Sequence, residues 1–250
     1  MKRTLTRAFH ALLLAGFLTP LLPANAPAQV VRIARSGSAA SLAFARYVTS
    51  IQEGKAFSDP GPVAVVIEAS LPGLYKRSAL LAIRQMGESG HSKYTVLQIA
   101  GDSAVLEEVI APYLLAQEEV EEMPVRSVAI TPANYRFKYV AEVGSGDTTA
   151  YVFRITPKKK RCGLIEGQLW IDAASGAAVL QAGHFVRPPS AEIRRMELVS
   201  DTNRLDGDPR TRITHVALAT QRLGRGELTV TEYRLAAETV PQLPGGIISQ

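Results

Sequence analysis

The residue types that most often carry catalysis or bind metals are scarce in this chain and do not cluster. Its four histidines are His10, His91, His184 and His215, and none has a Cys, Asp or Glu partner at the spacing of a metal site. Residues 144–149 (GSGDTT) lack the spaced lysine of a phosphate-binding loop and are typical of a hairpin turn. We therefore predict no catalytic residue, no metal site and no cofactor.

The densest charge cluster outside the N-terminal segment is Lys158, Lys159, Lys160 and Arg161, directly before the single cysteine, Cys162. This basic patch is either a solvated hairpin tip that discourages strand pairing or a docking patch for anionic head groups or an acidic partner. The same charges could lower the pKa of the Cys162 thiol and make it reactive. Alternatively, Cys162 is a small hydrophobic residue at the start of a strand.

One face of the predicted sheet is apolar, because apolar side chains alternate along several of its strands. Helices ordinarily fill such a face. If they cover it only in part, the remainder is a groove of lipid size, where each buried methylene contributes about 0.8 kcal/mol. The residues predicted to line this groove are Tyr151, Phe153, Ile155, Leu169, Ile171 and Phe185, with Tyr113 from a predicted helix.

Short segments rich in β-branched and aromatic residues, separated by turn signals, predict ten strands. They cover residues 63–70, 77–85, 92–99, 135–143, 148–156, 164–171, 178–186, 193–200, 212–221 and 227–235. Short connections indicate antiparallel hairpins, so we expect a large meander in sequence order that must curl or close. The predicted fold class is α+β and mostly antiparallel β: a strongly curved sheet, or half-barrel, with helices covering its concave face.

Two segments have helical periodicity. Residues 38–53 place Leu42, Ala45, Val48 and Ile51 on one face. Residues 103–117 carry a single apolar stripe, and Pro112 predicts a kink or two shorter helices there. The members of the stripe are Val105, Leu106, Val109, Ile110, Tyr113 and Leu114.

The first 28 residues match a secretory signal peptide, with a basic start, a short apolar core and a small-residue cleavage site. Cleavage after Ala26 would place Pro27 directly behind the cut, so we expect cleavage after Ala28 and a periplasmic product. Removing this segment takes three of the 28 basic residues and leaves a net charge of +2, which gives no argument for nucleic-acid binding. Since Cys162 lies far from the cleavage site, we expect no lipid anchor, and no later segment is apolar enough to span a membrane.

The remaining residues predict one domain. We assign 29–37 to a flexible linker, 38–239 to a single half-barrel domain and 240–250, rich in Pro and Gly, to a disordered tail.

Turn and strand signals between Tyr151 and Tyr233 resemble the outer-membrane lipoprotein-sorting carrier (Lol-type) superfamily. The resemblance is carried by residues 151–161 (YVFRITPKKKR), 163–172 (GLIEGQLWID), 175–176, Gly183 and the turn 206–209 (DGDP), about a third of the chain. It implies a periplasmic antiparallel half-barrel covered by helices that binds lipid chains or lipidated partners. No ligand-binding residue of the superfamily matches a position here.

Two functions follow as hypotheses. The first is a periplasmic lipid- or lipoprotein-binding carrier without catalytic activity, whose partner is an acyl chain or a lipidated protein. The second is a cell-envelope protein–protein interaction module with a filled core and no lipid ligand. An enzyme whose residues converge only in three dimensions is a third, weaker alternative.

Overall fold

A computed structural model describes residues 38–53, 61–87, 92–202 and 211–235. The predicted signal peptide, its cleavage after Ala28, the linker 29–37 and the tail 240–250 lie outside the described residues. So do His91 and the turn at 206–209. Among the described residues, no helix is long and apolar enough to cross a membrane.

The described residues form one antiparallel sheet of ten strands, which confirms the predicted fold class. The strands are β1 Val63–Leu71, β2 Lys76–Met86, β3 Ser92–Gly101, β4 Tyr135–Val143, β5 Ala150–Pro157, β6 Ile165–Asp172, β7 Ala178–Phe185, β8 Ile193–Asp201, β9 Thr211–Thr220 and β10 Arg225–Arg234. Each predicted strand coincides with an observed strand to within two residues at either end.

The spatial order of the strands corrects the predicted simple meander. The order is β3-β2-β1-β10-β9-β8-β7-β6-β5-β4, so β1 pairs with β10 while β3 and β4 form opposite edges. The chain therefore leaves the sheet at one edge after β3 and re-enters it at the other edge with β4. Local hairpin signals could not predict this, because the β1–β10 pairing joins residues such as Ile67 and Val230 that are far apart in sequence.

The first helix, α1 (Ser38–Gln52), forms as predicted, but only Val48 and Ile51 of its predicted face pack against the core. Leu42 is 53% exposed, and Ala45 is exposed too, whereas Ala40, Ala43 and Tyr47 are buried. At Ala43 the helix backbone comes close to the β6–β7 turn, where Gly176 lies. A Cβ placed on Gly176 of this turn would lie 3.0 Å from the Ala43 carbonyl oxygen.

The second helical cover follows β3 directly and is named here the 103–121 helix. It consists of α2 (Ser103–Val105), a π-helical turn (Leu106–Ile110) and α3 (Ala111–Glu121). Asp102 caps its start, with Oδ1 accepting a hydrogen bond of 2.9 Å from the Ala104 N–H. The predicted break near Pro112 is present as the π-helical turn, and Pro112 itself lies in the first turn of α3, where a missing N–H is tolerated. A short helix α4 (Val125–Val128) leads toward β4.

The helices cover one face of the sheet, the core face, in two separate apolar clusters. Cluster A lies under the 103–121 helix, on β1, β2 and β6–β10, and includes Val109, Ile110 and Met196. Cluster B lies under α1, on β4–β6, and includes Tyr135 and Ile155. The structure thus has two cores on one sheet.

A pair of glycines separates the two clusters. Gly167 of β6 lies opposite Gly183 of β7, and both face the core side by strand alternation. A Cβ added to Gly167 would lie 2.0 Å from the Ala182 carbonyl oxygen, and one added to Gly183 would lie 2.4 Å from the Glu166 carbonyl oxygen. The two backbones approach too closely here to admit any side chain.

Candidate functional site

All seven residues predicted to line an apolar groove are buried within the protein. None exceeds 8% exposure, and they do not form one surface. Tyr113 and Phe185 belong to cluster A, whereas the other five, Tyr151, Phe153, Ile155, Leu169 and Ile171, belong to cluster B. Their contacts in this structure are therefore with the protein's own helices, and their role as ligand contacts stays a prediction.

Aromatic rings of α1 and of the strands beneath it make up much of cluster B; they are named here the aromatic floor. The ring of Phe44 lies 4.7 Å from that of Phe137 and 5.3 Å from that of Phe153, and Tyr139 meets Phe153 edge-on at 5.9 Å. Such offset and edge-on pairs add to the free energy of simple burial. Seven of the chain's sixteen aromatic residues gather here, the other three being Tyr47, Tyr135 and Tyr151.

Two long-range hydrogen bonds attach α1 to the rest of the molecule. Arg46 Nη1 donates to the Ala174 carbonyl oxygen at 2.7 Å, and Tyr47 Oη donates to the Ile130 carbonyl oxygen at 2.9 Å. Burial, followed by the neighbouring Tyr135 phenol, raises the pKa of Tyr47 well above its ordinary value. The Tyr47 hydroxyl therefore stays protonated and able to donate across the neutral pH range.

A half-buried strip lies between the two helical covers, along β7 and β8. By strand alternation Gln181 and Gly183 share the core face with Leu198 and Ser200, and all four are only partly buried. Ser200 accepts a hydrogen bond of 3.0 Å from Thr214. These four residues are therefore partly accessible on the core face, although Leu198 packs against cluster A.

A charged pair lies at the core face under the end of the 103–121 helix. Arg84 Nη1 and Glu232 Oε1 are 2.9 Å apart, with side chains 25% and 17% exposed. Burial acts to lower the pKa of Arg84, but Glu232 and the Tyr94 hydroxyl raise it overall. The burial of Tyr113 beside this pair raises the pKa of its phenol, so the neighbourhood combines a fixed ion pair with neutral tyrosines.

Two residues of the basic patch, Lys158 and Arg161, donate hydrogen bonds to neighbouring groups of the protein. Arg161 donates to the Ser127 carbonyl oxygen at 3.1 Å and to Asn134 Oδ1 at 3.0 Å, and Lys158 Nζ donates to the Pro132 carbonyl oxygen. These bonds fasten the α4 region to the β5–β6 connection. Lys159 and Lys160 are exposed at the tip, and the docking role of all four residues stays a prediction.

The Cys162 thiol is not activated by the basic patch. Its pKa is raised, chiefly by burial, and Sγ lies 3.6 Å from the Pro188 carbonyl oxygen, to which it donates a weak hydrogen bond. The hypothesis of a reactive thiolate is therefore not supported, because the thiolate fraction falls as the pKa rises.

The two described histidines lie on the outer face, beside a shallow cavity of about 290 Å³. His184 of β7 is opposite Glu197 of β8, and His215 of β9 is opposite Val199. His215 Nδ1 is within 3.1 Å of Thr229 Oγ1, which satisfies one ring nitrogen. Across the ranges that the structure describes, no group of three His, Cys, Asp or Glu side chains could hold a metal ion.

Sequence reasoning missed the contrast between the two sheet edges. The β4 edge carries the exposed Arg136 and Lys138 and is interrupted by a bulge at Val140, both common ways of discouraging strand pairing. The β3 edge exposes Val96 and Ile99 and has no charge in its central part. The lack of charge from 94 to 101 is readable in the sequence, but only the tertiary structure places that segment at an edge.

No protein-family model matches the chain, and no curated protein matches it. Solved structures with similarity include a DUF1329 family protein from Desulfovibrio piger, at 9% identity and a TM-score of 0.40, covering 82% of this chain and 95% of that one. A LolA superfamily protein from Nitrosomonas europaea matches at 13% identity and a TM-score of 0.32, covering 81% and 96%. MucB matches at 12% identity and a TM-score of 0.27, covering 80% and 94%.

These matches include a member of the superfamily that the turn motifs resemble. The identities of 9–13% and the TM-scores of 0.40 or less are too low to support any conclusion about the ligand, partner or activity of this chain.

Proposed function

We propose that this chain is a non-catalytic binding protein of the cell envelope that acts on a protein partner through its surface, with its apolar core filled by its own helices. The observation that carries the proposal is the burial of every predicted groove residue at 8% exposure or less. An open acyl-chain site would leave part of that apolar surface accessible, because a lipid binds by covering it. The location in the cell envelope rests on the N-terminal sequence pattern.

The direct test is a search for lipid in the purified exported protein. We expect organic-solvent extraction followed by mass spectrometry to yield no lipid in stoichiometric amount. We also expect a fluorescent fatty acid to show no saturable binding. Recovery of about one acyl chain per protein molecule, together with saturable uptake of the probe, would overturn the proposal and favour a carrier.

A second candidate function is acyl-chain binding in cluster B after displacement of α1. It is favoured by the aromatic floor under this helix and by the half-buried strip beside it. The helix is attached by the two long-range hydrogen bonds of Arg46 and Tyr47. An acyl chain that replaced the helix would regain the apolar contacts that the floor loses.

The two candidates predict different effects of loosening α1: more fatty-acid uptake if the helix covers a lipid site, and no change if it does not. If α1 covers a lipid site, the double variant Arg46→Ala/Tyr47→Phe takes up more fluorescent fatty acid than the parent protein. The matched control is Arg154→Ala, which removes an exposed arginine on the outer face of β5. Equal and negligible uptake by all three proteins would exclude the carrier candidate.

A further inference from the structure

The β3 edge of the sheet offers outward backbone groups for pairing on both sides of a bulge at Leu97. β3 pairs with β2 alone among the described strands, so one side of its ladder faces outward. It is ten residues long and, although it carries that bulge, its central part lacks the charges that commonly protect an edge strand. Its length and composition make it the least protected strand of this sheet.

Hydrogen bonds at both ends of β3 identify which backbone groups point outward. The Asp102 N–H donates inward to the Arg77 carbonyl oxygen at 2.9 Å. The Ser92 N–H donates away from β2, to Glu121 Oε2 at 3.0 Å. Since inward and outward residues alternate in an antiparallel pair, and one extra residue lies at the bulge opposite Leu81 and Ala82, the outward groups belong to Tyr94, Val96, Ile99 and Gly101. Glu121 covers the Ser92 end, which leaves residues 94–101 as the pairing segment.

The side chains of this segment are apolar and unusually exposed. Val96, Leu97 and Ile99 are 48%, 50% and 51% exposed. Isolated exposed aliphatic residues are ordinary on protein surfaces, but three of them within four positions of an open strand edge mark a surface that gains by pairing.

We propose that β3 pairs antiparallel with β3 of a second copy of this chain, across a two-fold axis within residues 94–101. The segment carries no Asp, Glu, Lys or Arg, so self-pairing places no like charges opposite each other. At about 30 Å² per residue, as in interfaces of standard size, eight residues from each copy bury roughly 500 Å² in total, which is typical of a weak dimer.

The opposite edge explains why such pairing stops at two copies. Arg136, Lys138 and the bulge at Val140 discourage addition of a strand to β4. An interface that uses the same patch on both subunits closes on itself, whereas joining two different edges would build an open fibre. One open edge and one protected edge therefore favour a closed dimer. The proposed dimer does not depend on whether cluster B binds lipid.

Sedimentation velocity of the exported protein tests this proposal. We expect a weak monomer–dimer equilibrium in roughly the 0.1–1 mM range, because the interface is small. Val96→Lys and Ile99→Lys should each weaken dimerisation by about 100-fold or more, because each charge enters the interface twice. Val140→Lys, on the protected edge, is the matched control and should dimerise like the parent protein.

Cysteine scanning supplies a second readout that does not depend on losing an apolar contact. In a Cys162→Ser background, single cysteines at positions 95, 96, 97 and 98 should form an intermolecular disulfide at the position nearest the axis, because the bond requires Cα atoms about 4.4–6.8 Å apart. A cysteine at Val140 should form none.

A parent protein that stays monomeric up to about 1 mM would overturn the proposal, since even a weak specific interface is expected to associate by that concentration. A dimer unaffected by both lysine variants would overturn it too, as would the absence of any disulfide across positions 95–98. None of these results bears on lipid extraction or fatty-acid uptake, so failure of the dimer and failure of the proposed function are separately visible.

Discussion

The contact between Gly167 and Gly183 gives the sharpest prediction about this fold. Replacing Gly167 by alanine places a methyl group 2.0 Å from the Ala182 carbonyl oxygen and 2.5 Å from the Gly183 Cα. Ordinary van der Waals contact begins at 3.4 Å, so β6 and β7 must separate by about 1 Å or more, with loss of ladder geometry between two central strands.

The size of the effect follows from two opposing contributions. Overpacking of a close contact costs about 1–3 kcal/mol and sometimes more, and both colliding atoms here are backbone atoms that cannot rotate away. Alanine also restricts the unfolded chain, which by itself stabilises by about 0.4–1 kcal/mol. We therefore expect Gly167→Ala to lower the free energy of unfolding by about 2–3 kcal/mol and Tm by roughly 5–10 °C.

Urea unfolding provides the assay, followed by circular dichroism and by fluorescence of Trp170. This residue is the chain's single tryptophan and lies on β6 three positions from the substitution, so it reports the strand that must move. Gly73→Ala is the control, because Gly73 has no atom within 4 Å of an added Cβ and does not adopt a positive φ. That variant should match or slightly exceed the parent stability. If the free energy of unfolding of Gly167→Ala lies within about 0.5 kcal/mol of that of the parent protein, the close approach of the two backbones is refuted.

Three further outcomes are expected. Glu232→Gln leaves the partly buried Arg84 without its closest charged partner. With solvent screening considered, it should lower the free energy of unfolding, measured by urea titration, by about 1–2 kcal/mol. A loss below about 0.5 kcal/mol would contradict a coupled ion pair. Tyr47→Phe removes the hydrogen bond to the Ile130 carbonyl oxygen and should cost about 1 kcal/mol at neutral pH. Because the pKa of Tyr47 is raised in the folded state, its contribution to the free energy of unfolding is present below the unfolded pKa of about 10 and is lost as pH rises further. The difference in free energy of unfolding between parent and variant should therefore narrow, and should not widen, in alkaline unfolding experiments. Cys162, whose pKa burial raises, should react with a disulfide reagent at pH 8 at least about tenfold more slowly in the folded than in the urea-unfolded protein, and equal rates would refute its protection.

The elements of this fold were predictable because their signals are local. Alternating residues and turn signals identified all ten strands, and the apolar stripe of residues 103–117 identified the second helical cover. The buried face of α1 was predicted only in part: Val48 and Ile51 pack against cluster B, whereas Leu42 and Ala45 are exposed. The close approach of the β6–β7 turn to the backbone at Ala43 is a tertiary contact that no local pattern indicates.

The candidate site could be predicted only as a list of side chains. Alternation correctly assigned Tyr151, Phe153 and Leu169 to an apolar face, since neighbouring positions on a strand point to opposite sides. Whether that face is open depends on where the helices dock. No local pattern indicates that α1 covers one cluster and the 103–121 helix the other.

By itself the sequence determined which segments become strands and helices and which side of several strands is apolar, because those properties depend on periodicity and turn chemistry within a few residues. It also showed that residues commonly used in metal sites are sparse and do not share a motif. Tertiary structure decided the pairing of β1 with β10, the separation of two cores at Gly167 and Gly183, and the placement of β3 at an unprotected edge. These depend on contacts between distant residues, whose free energy arises only when the whole sheet is assembled.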